Sequence, residues 1–374
     1  MELIRMEKSE ASTKRNILRM IYTQNGVSRN EIAKTLHLSM PTVLSYIRDL
    51  QNEQLVVEEG KYASTGGRKA WILCGVPNSR FVLGCELQYK RMTLTCLDLV
   101  GNEITTRIAE IPMDTNSHYV EQVRQTVESV VEELKLDKQT ILGICFAMPG
   151  PINTMNGYAE LYIDGNRKFM PLNLFTASFD LPCSFLRFSD AGAYAEFRHC
   201  SANDTLMYIS LNASLSGTLF WQGQIYKGEH GRGNRLGHMT LVPNGRPCYC
   251  GKKGCTVAYC SSKNLTALTA DGEEETFFHL LENGDPSVSA QWNEYLNYVA
   301  LLINNVHYIY DCDIVVGGRV GCAIRNRLQE VRSHIMEIDP NCHGANYVRP
   351  THYICNIDSI GAAYSIIHDY FLTF

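Results

Sequence analysis

One imidazole and three thiols fall within eighteen residues of this 374-residue chain: Gly237-His238, then Cys248-Tyr-Cys250-Gly-Lys-Lys-Gly254-Cys255. Glycines at 251 and 254 let the chain double back. A fold that gathers His238, Cys248, Cys250 and Cys255 therefore makes a tetrahedral nitrogen-and-sulfur cage of the kind that suits Zn2+. Four protein ligands leave no open coordination position, which predicts a structural ion rather than a catalytic one. Cys260 is close enough in sequence to substitute for one ligand, and a chance grouping of reduced thiols is the plain alternative.

The other cysteines, Cys74, Cys85, Cys96, Cys145 and onward, mostly sit inside apolar, strand-like runs. Reduced thiols in a reducing compartment behave this way, as small hydrophobes. Hydrophobic residues make up 45% and charged residues 20% of the chain, a globular balance. No apolar run approaches the roughly 18 residues that span a bilayer. The opening MELIRMEKSEASTKR has no apolar core before a small-residue cleavage site. The expectation is a cytoplasmic protein of two or three domains with no membrane partner. Residues 1–70 carry +3 and the remainder −8, a small basic head on an acidic body, which fits nucleic-acid contact through the head alone.

The head reads as three short helices and a hairpin. A first helix is expected over 14–24, stopped by Asn25-Gly26. Ser28-Arg-Asn-Glu31 has the spacing of a capping box and opens a second helix that ends near residue 36. Ser39, with Pro41 in the first turn, caps a third over 40–52, whose apolar stripe is Val43, Leu44, Ile47 and Leu50. Its other side carries Thr42 and Ser45, flanked by Pro41, Tyr46 and Arg48, a polar face suited to a major groove. Strands over 55–59 and 69–73 would flank a glycine-rich tip with Lys61, Arg68 and Lys69, a wing for phosphate or the minor groove. The candidate DNA contacts are thus Arg29, Ser39, Pro41, Thr42, Ser45, Tyr46, Arg48, Lys61, Arg68 and Lys69. The alternative is a helical dimerisation module with a basic hairpin.

After Pro77-Asn78 the period changes to strands. Runs over 81–87, 92–99 and 103–111 precede a helix over 119–136 and a buried strand over 140–147. A second round has strands at 183–188, 206–211, 217–221 and 224–226 and a helix at 191–198. Helices at 261–270, 274–283 and 288–310, a strand at 314–317, and helices at 320–334 and 359–371 close the chain. Such alternation predicts an α/β fold of two lobes with a ligand cleft between them.

These residues together resemble the ROK family of repressors, open reading frames and kinases. The resemblance rests on Leu142-Gly-Ile-Cys-Phe-Ala-Met-Pro-Gly150, Ser189-Asp190-Ala191, Leu236-Gly237-His238-Met239, the Cys248–Cys255 segment, Ile314-Val-Val-Gly-Gly318 and Gly361-Ala-Ala363. It implies a winged helix-turn-helix over 1–76, like that of the xylose and N-acetylglucosamine repressor branch. A two-lobed actin/hexokinase-like effector and oligomerisation domain would follow over 77–374. The lobes would be about 77–188 plus the C-terminal helix, and 189–358, with a zinc loop at 238–255. The implied partners are a double-stranded DNA operator, a sugar or sugar-phosphate effector, and a second copy or three further copies of the chain.

Departures from the family pattern separate its branches. The kinases' glycine-rich phosphate loop is here Gly84-Cys-Glu-Leu-Gln-Tyr-Lys90, and their second one is Asn212-Ala-Ser-Leu-Ser-Gly217. A loop that cradles phosphate needs glycines so that backbone N–H groups reach the anion. Asp190 matches the family's catalytic base, but a base without a positioned phosphoryl donor transfers nothing. The family's sugar-binding glutamates fall at Arg235 and Val257, and the asparagine before the catalytic aspartate at Ser189. Of the usual set, Asp190 and His238 remain; in the family that histidine gives one ring nitrogen to zinc and turns the other toward sugar. A guanidinium has donors and no acceptor, so Arg235 either selects an anionic group on an effector or serves as an internal ion pair or a solvent-facing charge. The expectation is a non-enzymatic regulator; a sugar kinase with an extra domain and a ligand-independent DNA-binding scaffold are the rivals.

Overall fold

The structure, a computed structural model, describes residues 10–24, 26–61, 71–163, 165–200, 204–229 and 233–374. Three helices open it: α1 (Glu10–Thr23), α2 (Arg29–Thr35) and α3 (Met40–Asn52). The capping box at the start of α2 is complete: Glu31 N donates to Ser28 Oγ at 3.2 Å, and Ser28 N donates to a Glu31 carboxylate oxygen at 2.7 Å. Strands β1 (Val56–Lys61) and β2 (Trp71–Gly75) pair antiparallel, and a backbone bridge from Val27 to Leu73 adds a third edge. The strands sit one or two residues later than the spacing predicts, because Leu50 O accepts from Leu55 N and extends the turn after α3. The Arg68 and Lys69 tip lies outside the described residues.

Two five-stranded sheets form the body. The first contains β3 (Phe81–Leu87), β4 (Met92–Asp98), β5 (Glu103–Ala109), β6 (Ile141–Met148) and, beyond a subsidiary hairpin, a strand over Cys183–Arg187. That hairpin sheet is β7 (Ile152–Asn153), β8 (Tyr158–Ile163) and β9 (Asn166–Pro171), which makes Cys183–Arg187 β10. Helices α4 (Ser117–Glu133) and α5 (Asn173–Ser178) cover one side of the first lobe, around Phe146, Phe175 and Tyr119. The second sheet contains β11 (Leu206–Leu211), β12 (Leu215–Trp221), β13 (Gln224–Ile225), β14 (Asp313–Gly317) and β15 (Val348–Pro350). In each sheet the first strand pairs antiparallel with the second and the second with the third, while the fourth and fifth extend it in parallel on the other side. One topology used twice is the two-lobed architecture the alternation implied.

The remaining helices are α6 (Phe188–Phe197), α7 (Val257–Cys260), α8 (Lys263–Thr266), α9 (Glu274–Glu282), α10 (Pro286–Tyr310), α11 (Gly318–Arg325), α12 (Leu328–Ile338) and α13 (Ile357–Thr373). Two expectations are corrected here. The helix expected over 261–270 is replaced by α7 and α8, because the chain breaks at Ser261, whose hydroxyl donates to Ala213 O at 2.8 Å. The helix expected over 320–334 is two: Arg327 leaves helical geometry, and its N–H closes a turn on Ile324 O at 2.8 Å.

The head is not separated from the body by packing. Ile17, Ile21 and Tyr22 of α1 share one apolar cluster with Ile367 and Phe371 of α13. The Tyr22 ring lies 5.1 Å from that of Phe371, and its hydroxyl donates to Leu55 O at 2.7 Å. Arg15 reaches the carbonyl of Phe374 at 3.2 Å.

Candidate nucleic-acid interface, metal cluster and cleft

The third helix presents its candidate contacts as one exposed strip. Val43, Ile47 and Leu50 are buried, and Pro41, Ser45 and Arg48 are exposed, with Thr42 and Tyr46 half-buried. Ser39 caps the helix, accepting from Thr42 N at 3.3 Å, so its hydroxyl is committed to the turn that aims the strip. Leu44 is corrected: it stands 38% exposed beside Ser45 and Arg48 instead of in the core stripe. Adjacent helical residues diverge by about 100°, and the first two helices reach only the Val43 side. Arg29 is held by an ion pair to Glu58 of the wing strand, which braces α2 against the wing. Lys61 ends β1 opposite Trp71.

The four cluster residues do converge. One ligand atom from each of His238, Cys248, Cys250 and Cys255 lies within 4.8 Å of the others. Cys250 Sγ and Cys255 Sγ are 3.6 Å apart, and Cys248 Sγ is 3.7 Å from His238 Nδ1. Thiolates at about 2.3 Å from a shared tetrahedral ion stand about 3.8 Å apart, whereas a disulfide needs about 2.05 Å. The cluster therefore has the edge lengths of a four-coordinate metal cage, and Nδ1 is the nitrogen that faces it. Burial first, then Lys252 and Arg235, holds the His238 imidazole below its usual pKa, which keeps it neutral as a ligand must be. Cys260 takes no part; it is buried under α10, its carbonyl accepting from Tyr295 Oη at 2.8 Å. Gly254 has φ +79°, and a Cβ there would fall 1.8 Å from Val242 O, so the hairpin that carries Cys255 closes only with glycine.

The expected effector residues are only partly united. Arg235 is exposed and close enough to His238 to act on its charge. The free nitrogen of His238, Nε2, faces the Tyr249 hydroxyl at 3.4 Å, a residue sequence reasoning passed over although it lies inside the cysteine motif. Asp190 is bound by Arg187 through two contacts of 2.7 and 2.9 Å and accepts from Thr218 Oγ1 at 2.6 Å. Both oxygens of that carboxylate thus already have partners inside the protein.

A cavity lies elsewhere, between the lobes, beside the two segments that stand where kinases carry phosphate loops. The amide of Gly318, at the start of α11, donates to Tyr208 Oη at 3.0 Å, and that of Arg319 donates to Asn212 Oδ1 at 2.7 Å. Helix N-terminal amides are the usual anchor for phosphate, and here the protein's own side chains occupy them. No helix of the described residues is long and apolar enough to cross a membrane.

The structure thus joins a helix-turn-helix head with a β-hairpin to a duplicated two-lobed α/β body that bears a cluster of one histidine and three cysteines. The ROK family profile matches residues 91–365, most of the chain, and a winged helix-turn-helix DNA-binding profile matches 11–57. The chain belongs to the ROK family. It is 27% identical over 256 residues to a putative xylose repressor of Caldicellulosiruptor sp., the match covering 67% of this chain and 64% of that one. It is 22% identical over 254 residues to the xylose repressor of Bacillus subtilis, covering 67% and 65%. The matched region thus spans slightly less than two thirds of either repressor. A solved ROK family transcriptional regulator, a homologue of the E. coli MLC protein, superposes with a TM-score of 0.76 at 20% identity, over 97% of both chains.

Proposed function

We propose that this protein is a sequence-specific DNA-binding repressor of carbohydrate-metabolism genes, with residues 1–76 as reader and 77–374 as effector and assembly domain. The carrying observation is the exposed Pro41–Ser45–Arg48 strip on a capped third helix, held rigidly by a head whose core runs into the body. The relatives that bear the name of xylose repressor support the reading. A homodimer or homotetramer in the cytoplasm would place two such strips on a pseudo-palindromic site. Zn2+ on His238, Cys248, Cys250 and Cys255 would pin the loop beside Arg235, and a sugar or acidic sugar derivative would be met by Arg235 and His238. Any such effector weakens operator binding only by preferring one lobe arrangement over the other.

A kinase is the less favoured reading: Asp190 is tied to Arg187, and the amides that would hold phosphate are filled from within. Capturing genomic fragments on the purified protein and sequencing them tests the proposal. Enrichment of sites beside carbohydrate genes is expected; no enrichment, or sugar-dependent ATP turnover, overturns it.

Two variants separate reading from anchoring. Leu44→Ala should cost about 1 kcal/mol of discrimination at a thymine position while leaving binding to unrelated DNA unchanged, because an exposed apolar side chain there would pack on the thymine methyl. Arg68→Ala with Lys69→Ala should weaken binding to all sequences and lower the salt slope by about 2. Filter-binding titrations at several salt concentrations measure both.

A further inference from the structure

The cavity between the lobes has a volume of about 460 Å³ and is walled by five carboxylates (Glu86, Glu274, Glu275, Glu282 and Asp358) against two guanidiniums, Arg91 and Arg319. Both guanidiniums are already committed. Arg319 is paired with Glu274 at 2.5 Å and Glu275 at 2.8 Å, and Arg91 Nε donates to Gln88 Oε1 at 3.0 Å. Gln88 in turn donates through its amide nitrogen to Glu86. This relay does not extend to Asp358. Asp358, in the first turn of α13, is only 4% exposed, and its Oδ1 has no hydrogen-bond partner. Glu86, at the end of β3 in the first lobe, is 6% exposed. Burial pushes both carboxyls above their ordinary values, and for Asp358 the charge on Glu86 adds to the effect. A buried carboxylate oxygen without a donor is costly, so it marks a place where something else supplies the donor.

The geometry points to a binding site for a small organic cation, a molecule bearing a primary ammonium that sits between Glu86 and Asp358. A bare metal ion fits less well. Among the described residues, only the His238 cluster gathers three or more His, Cys, Asp or Glu ligand atoms around one point. The volume is that of a small-molecule pocket and far exceeds one ion. An ammonium has three donors, enough for Asp358 Oδ1, the second carboxylate and one polar wall group such as Asn212. The same excess of acid repels polyphosphate, which explains why the cleft can persist where the phosphate loops have gone. The site goes beyond the repressor reading, since it lies apart from Arg235 and His238. Only its regulatory consequence rests on that reading.

Calorimetric titration of the full-length protein tests the site, with glucosamine and putrescine as probes and glucose and 1,4-butanediol as their neutral counterparts. At least one amine should bind saturably with one site per chain. Its neutral counterpart should bind about tenfold more weakly or worse, the loss expected for a charge-assisted hydrogen bond. Asp358→Asn and Glu86→Gln should each weaken the amine by about tenfold or more. Their melting temperatures should equal or exceed the parent's, because each removes a buried charge. The two variants alter different elements, β3 and α13, so if one folds poorly the other still decides. Absence of binding by both amines, equal binding of the neutral counterparts, amine binding unchanged in the variants, or displacement of the amine by millimolar Mg2+ each overturns the proposal. Operator affinity, measured separately without amine, reports on the repressor reading alone: intact DNA binding with no amine binding sinks only the site.

Discussion

Replacing Cys255 by serine is expected to lower the zinc proposed for the His238 cluster from about one ion per chain to a small fraction, and to lower the melting temperature by about 5 °C or more. Cys255 is fully buried, its sulfur 3.6 Å from that of Cys250, and a serine hydroxyl does not ionise to replace a thiolate. Structural zinc contributes about 10–16 kcal/mol in isolated finger peptides, where it is nearly the whole fold. Here the loop keeps hydrogen bonds without it, including Leu241 N to Gly254 O and Cys248 N to Lys252 O, both 2.8 Å, so the visible loss is smaller. Cys260→Ser supplies the contrast: it also alters a buried thiol, but outside the cluster, and should retain the metal. Metal content by atomic emission after dialysis, beside a thermal scan, measures both. Zinc retained by the Cys255 variant, or lost equally from the Cys260 variant, contradicts the assignment of ligands.

Local chemistry decides what was legible in the residues alone. The caps at Ser28 and Ser39 use partners three residues away, so the head's helices were legible from short spacings, as was the cysteine motif. The side chain of Leu44 was not, because its exposure depends on where α1 and α2 end in space. The β7–β9 sheet was missed although 158–163 alternates in burial, since its strands are short and hidden among turn residues after Met-Pro-Gly-Pro. The break between α11 and α12 carries neither glycine nor proline, so nothing local announced it. For the site, the motif located the metal ligands and the Arg187–Asp190 pair spans only three residues, but the meeting of Glu86 with Asp358 is a tertiary fact. Those two carboxyls, far apart in sequence, meet only because α13 packs back on β3. The change of period at Pro77 marked where the second unit starts, yet it concealed that α13, the last helix of the chain, returns to complete the core of the first.

That return makes Phe371→Ala the most informative change to the body's far end. Phe371 is buried between Tyr22 of the head and the sheet face that α13 covers, and truncating a buried phenylalanine costs about 3–5 kcal/mol. Helix α13 keeps its packing on α6 and β3 through Ile360, Ala363 and Ile367, so the body survives and the loss falls on docking of the head. The single melting transition expected of the parent should divide, with the head released first, and protease should cut near 76–79, where the head's last strand enters the body. Isolated-site DNA affinity should change little, since Val43, Ile47 and Leu50 still hold α3 against its own helices. What should fall is the preference for two half-sites at one fixed spacing, because spacing is information only a rigidly docked head can carry. Calorimetry, limited proteolysis and gel shifts on operators with altered spacers measure the three effects. One unaltered transition with unaltered spacing preference would mean that the Tyr22–Phe371 contact transmits nothing between body and head.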